Sequence, residues 1–130
     1  MNARQKLENA KYFIPLLNSY LKENDNLLYR LRKADEDSDI KSPSLQKLID
    51  QAENAIKRET EEFYDTLSLI SSLEDQKHRT VIYMRYIENK TTAEIAINLD
   101  LKDERQVYRL FKEANDQLDE IMKDREQAVS

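Results

Sequence analysis

Arg105, Gln106, Tyr108, Arg109 and Lys112 crowd into one short stretch, interleaved with Val107, Leu110 and Phe111. If the stretch is helical, Val107, Leu110, Phe111, Ala114, Leu118 and Ile121 form one inward row, and the five polar residues project from the other side. Arg offers a planar fork that matches guanine O6 and N7, and Gln matches adenine N6 and N7, so this spacing suits a helix laid in a DNA major groove. Upstream, Lys90, Thr91 and Thr92 supply an ammonium, two hydroxyls and the free N–H groups of a helix start, all suited to phosphate. Each group also has a plainer use: a solvated helix face for the first, helix capping for the threonines. His78, between Lys77 and Arg79, reads as a surface imidazole. Tyr83 and Tyr86 read as packing residues rather than a stacking platform.

What the chain lacks excludes most enzyme chemistry. Its 130 residues include no Gly, no Cys and a single His. Without Gly there is no phosphate-cradling loop or dinucleotide fingerprint. Without Cys, and with one His, there is no disulfide, zinc finger, thiol nucleophile or His-based metal cluster. No catalytic residue, metal or cofactor is expected. The first residues lack a secretory signal, and no apolar run approaches the ~20 residues of a membrane span, so the expectation is a cytoplasmic protein with no membrane partner.

The net charge of -5 is unevenly spread. Between Gln76 and Lys112 eight Lys and Arg face five Asp and Glu, a local excess of +3, which leaves -8 for the remainder. Basic character therefore concentrates where the candidate groove-reading residues lie.

The elements that must position these residues fall into two kinds. From Lys6 to Lys33 the apolar residues follow a heptad. Leu7, Ile14, Leu21 and Leu28 lie seven apart, Ala10, Leu17 and Leu31 complete the seam, and Asn24 is its one polar member. Pro15 should kink this helix or start it afresh. After an acidic loop from Lys33 to Ser44, with a helix start at Ser42 or Ser44, a second heptad runs through Ile49, Ile56, Phe63 and Ile70. This spacing predicts a long antiparallel helical hairpin over residues 1–72, with its heptads serving either hairpin packing or a homodimer interface. Residues 73–123 predict a trihelical helix-turn-helix domain. One helix covers 79–87 and ends where Asn89 takes a left-handed turn. A short one covers 93–99, capped by Thr91 or Thr92, and a long one is capped by Asp103 with Gln106 in capping-box spacing. Residues 124–130 predict a frayed tail. The fold class is all-α.

Arg79-Thr80-Val81-Ile82-Tyr83-Met84-Arg85-Tyr86, then Thr92-Ala93-Glu94-Ile95-Ala96 and Leu99, then Val107 with Ala114 and Leu118, resemble the region-four domain of bacterial sigma factors. More narrowly, Leu73-Glu74-Asp75, Arg85-Tyr86-Ile87 and Val107-Tyr108-Arg109-Leu110 resemble the ArpU-type phage and prophage late-gene transcriptional regulators. The resemblance implies a helical hairpin before a helix-turn-helix, and a regulator that binds double-stranded DNA, with RNA polymerase as a further partner. Asp100 stands where that family usually has Gly, which implies a different or slightly strained turn, and Asp103-Glu104 adds two carboxylates at the mouth of the recognition helix. Those carboxylates and the acidity of the whole chain leave a second reading open: a helical adaptor that binds RNA polymerase or another regulator without touching DNA.

Overall fold

The computed structural model describes residues 2–37 and 43–129. It is all-α, with no strand among the described residues. Its helices are α1 (Ala3–Lys11), α2 (Phe13–Asp37), α3 (Pro43–Ser71), α4 (Gln76–Tyr86), α5 (Thr92–Asn98) and α6 (Glu104–Val129). No helix among these residues is long and apolar enough to cross a membrane. The centre of the expected acidic loop and the Ser42 cap lie outside the described residues; α2 reaches Asp37, past Lys33.

The first heptad is not one helix. It breaks at Tyr12, three residues before Pro15. A continuous helix would need an N–H at Pro15 to return to the Lys11 carbonyl, and the proline ring crowds that same carbonyl. The chain therefore restarts, with Pro15 in the first turn of α2, where its missing N–H is no loss.

That break changes which core the first residues serve. By contacts the chain forms two units: residues 1–11 with 63–130, and residues 12–62. The division differs from the boundary expected at residue 72. Leu7, a seam partner of Ile14 and Leu21 by spacing, is buried instead with Leu69, Leu73, Ile82, Ile95, Val107 and Leu118 in the first unit, and Ala10 is buried too. The Ala3 N–H donates to Asp119 Oδ1 at 2.9 Å. Lys6 pairs with Asp65. Asn2 and Gln5 cap α1 reciprocally, each side-chain oxygen accepting the other's backbone N–H.

In the second unit the buried apolar cluster is small: Leu27 of α2 with Ile49 and Ala52 of α3, and Leu28 alongside. Ile14 and Leu21, from the row expected to form the seam, are 54% and 45% exposed. Asn24 Oδ1 is buried without a hydrogen-bond partner.

The first unit is built around α6. Val107, Leu110, Ala114 and Leu118 are buried, and Phe111 and Ile121 pack against them, so the expected inward row holds. The helix continues beyond Lys123 to Val129, so the tail expected to fray is helical there, although residues 123–128 are exposed.

Candidate nucleic-acid interface

Three local devices set the geometry of α4, α5 and α6, and none uses glycine. Asp75 caps α4 by accepting the Lys77 N–H at 2.8 Å. After α4, Asn89 adopts a left-handed conformation (φ 56°), and the Lys90 N–H returns to the Met84 carbonyl at 2.9 Å. Thr91 then caps α5 in a full capping box: its hydroxyl accepts the Glu94 N–H, and the Glu94 carboxylate accepts the Thr91 N–H, both at 3.1 Å. Such a cap stabilises a helix start by about 1 kcal/mol. The Thr91 backbone N–H first, and its hydroxyl second, hold the Glu94 carboxyl below its ordinary range.

The turn between α5 and α6 is a Schellman closure. The Leu101 N–H donates to the Ala96 carbonyl at 2.8 Å and the Asp100 N–H to Ile97 at 3.2 Å, with Asp100 left-handed at φ 54°. Asp thus takes the conformation for which Gly is preferred, at some cost in backbone strain, and the turn keeps its glycine-type geometry. Asp103 Oδ1 accepts the Gln106 N–H at 3.2 Å. Its other oxygen lies 3.8 Å from Arg105 Nε. Asp103 is therefore committed to the helix start rather than standing free in front of it.

On α6, Arg105, Tyr108, Arg109 and Lys112 are exposed together on the face opposite the core. Gln106 is partly buried beside them. At the start of α5, Thr91 is exposed and Lys90 is half-buried, its ammonium 3.6 Å from Glu88. Thr92 departs from the expected set: it is only 7% exposed and belongs to the core side of α5. The cap falls to Thr91, so Thr92 enters the first helical turn facing inward.

Several cations of the basic window are engaged within the fold. The Arg79 guanidinium donates to the carbonyls of Leu73 and Glu74, closing the end of α3, and so it is structural. Arg85 lies over the Phe111 ring at 5.9 Å, and Tyr108 meets the same ring edge-on. A hollow of about 460 Å³ between α1, α4 and α6 brings Arg4, Arg85, Tyr108 and Lys112 to one rim, with Glu8 and Asp116 among its acidic members. Tyr86 also lines it. Burial raises the Tyr86 phenol above its ordinary pKa, and Glu8 adds to this against Arg85 and Arg4.

Two expectations about aromatic and imidazole side chains change. Tyr86 is buried, as a packing residue should be, but Tyr83 is 45% exposed. His78 is not on the surface. It is 5% exposed, with Nε2 2.9 Å from Glu113 Oε2 and Nδ1 3.2 Å from Gln117 Oε1. Glu113, absent from the candidate residues read in the sequence, also lies 3.8 Å from Arg109 Nε. Its four-residue spacing from Arg109 was a visible signal; its bond to His78, thirty-five residues away, was not.

Among the described residues no three His, Cys, Asp or Glu side chains converge in a way that could hold a metal ion. A family profile described as "Protein of unknown function (DUF1492)" matches residues 32–119. No curated protein and no solved structure matches the chain.

Proposed function

The chain belongs to the DUF1492 family, and we propose that it is a non-enzymatic, double-stranded-DNA-binding transcriptional regulator. In this reading α5 and α6 form a helix-turn-helix similar to sigma region four, as in ArpU-type regulators of phage or prophage late genes, working in a bacterial cytoplasm. The observation that carries the reading is the exposed face of α6, where Arg105, Tyr108, Arg109 and Lys112 stand together directly after a tightly closed turn. A helix presented by such a turn is the element that enters a major groove, and its first turns reach base edges. Lys90 and Thr91 would meet the phosphate backbone and fix register.

The test is a titration of the protein against random-sequence duplex DNA at several salt concentrations. Binding that weakens steeply with salt is expected, because each neutralised phosphate releases counterions. No binding at low salt would favour the adaptor, which binds RNA polymerase or another regulator through protein contacts alone. One feature supports that second reading: Ile97 on α5 is 79% exposed. Homodimerisation completes the proposal. Ile14 and Leu21 repeat at seven residues on an exposed face of α2, a spacing suited to pairing with the same face of a second copy.

A further inference from the structure

Arg109 is the central arginine of the exposed α6 face, and its neighbour Glu113 is unusual for a surface carboxylate. The Glu113 side chain is 47% exposed, yet Oε2 is bonded at 2.9 Å to Nε2 of His78, whose side chain is only 6% exposed. The other ring nitrogen of His78 faces Gln117 Oε1 at 3.2 Å. The imidazole is thus fixed on both sides by α6, and it fixes Glu113 in turn. The second carboxylate oxygen, Oε1, lies 3.8 Å from Arg109 Nε.

An isolated ion pair on a helix surface holds weakly, because two long side chains must both give up their rotamer freedom. Here the buried imidazole has already removed that freedom from Glu113. The contact, an ion pair longer than a hydrogen bond, is on the Nε side of the guanidinium, and the two terminal nitrogens have no partner among the described residues. Those are the donors that form a bidentate pair with guanine O6 and N7. We propose that Glu113 is a positioning residue for Arg109: anchored by His78, its carboxylate holds the guanidinium by Nε and presents the free fork to a guanine edge. The inference rests on the reading of α6 as a recognition helix, and it assigns to that helix a specificity device reaching back to α4. A carboxylate at this place works against affinity, since it adds negative charge near phosphate; its value is in discrimination.

The test uses the full chain in two arms. The first follows the Arg109 Nε–Hε signal by NMR without DNA. Its exchange with water should be slower in the parent than in Glu113→Gln, and His78→Asn should accelerate it in the same direction. Equal exchange in parent and Glu113→Gln would overturn the proposal. The second arm selects preferred duplexes from a random pool with the parent, R109A, E113Q and the double variant. The guanine preference lost in R109A should fall in E113Q by roughly five- to tenfold, toward the lower end of what a bidentate base contact supplies. On the R109A background E113Q should have no further effect on discrimination. Undiminished discrimination by E113Q, or an equal loss on the R109A background, would overturn the positioning role while leaving DNA binding intact. A parent that selects no sequence would instead overturn the reading of α6 itself, and the proposal with it. E113Q keeps the side-chain length and an amide oxygen within reach of the buried His78 ring, so the carboxylate charge beside Arg109 is what it removes.

Discussion

The two units of this chain use the same helical raw material in opposite ways. In the first, α1, α4 and α5 converge on α6, and Leu7, Leu69, Ile82, Ile95, Val107 and Leu118 are sealed from solvent. In the second, α2 and α3 are long and strongly periodic, yet the buried apolar cluster among the described residues is only Leu27, Ile49 and Ala52. Regular periodicity is therefore a poor guide to where a core forms. A heptad guarantees an apolar stripe, but a stripe becomes a core only when other elements cover it from several sides. The candidate DNA-binding face lies on the densely packed unit, which suits a surface that must hold arginines at fixed positions.

The largest expected contrast comes from the same substitution in both units. Leu118→Ala should cost about 3–5 kcal/mol, the range for a fully buried leucine that leaves a cavity, while Leu27→Ala, with a looser surround, should cost no more than about 2 kcal/mol. Urea melts of the two variants measure the difference, and equal losses would remove the distinction between the units.

Leu7→Ala probes the same division, because Leu7 shares the heptad of the hairpin in sequence yet lies in the core of the first unit. A loss of about 2–4 kcal/mol is expected. Amide exchange should accelerate in α4, α5 and α6. Acceleration confined to α2 would return Leu7 to the hairpin.

Asn24→Leu should act with the opposite sign. It removes a buried carbonyl oxygen that has no partner, so the second unit should gain about 1–2 kcal/mol. A loss of stability on this substitution would mean that the Asn24 amide is satisfied in solution.

The smallest effect is a pH dependence at the start of α5. The Glu94 carboxyl is held below its usual 4.5 by the Thr91 N–H and hydroxyl. A depressed folded-state value means that Glu94 contributes stability above the unfolded pKa and loses it as pH falls through the folded one. Glu94→Gln should therefore flatten the stability profile below about pH 4.5 and leave its neutral-pH slope unchanged. An identical acid slope in the variant would separate the capping box from the carboxylate charge.

Much of the first unit was legible in local sequence. The inward row of α6, the Asn89 turn and the Asp103 cap all depend on residues within one or two turns of each other, where propensity and hydrogen-bond chemistry act directly. The all-α class followed from the two periodicities. Other features depend on partners far along the chain. Nothing near Leu7 states that a break before Pro15 will free it to join Ile82 and Leu118. Likewise His78 reads as a basic-patch residue until α6 brings Glu113 and Gln117 to its ring. Thr92 and Thr91 are chemically equivalent in sequence, and only the phase of α5 decides which one caps and which is buried.

In the proposed function duplex DNA meets α6 and the start of α5 rather than the heptad helices. Titrating isotopically labelled protein with a short duplex and following the backbone and arginine side-chain NMR signals tests it most directly. Salt-sensitive shifts should concentrate at Lys90, Thr91, Arg105, Tyr108, Arg109 and Lys112, with α2 and the first turns of α3 unchanged. Shifts confined to α2 and α3, or none at low salt, would contradict it.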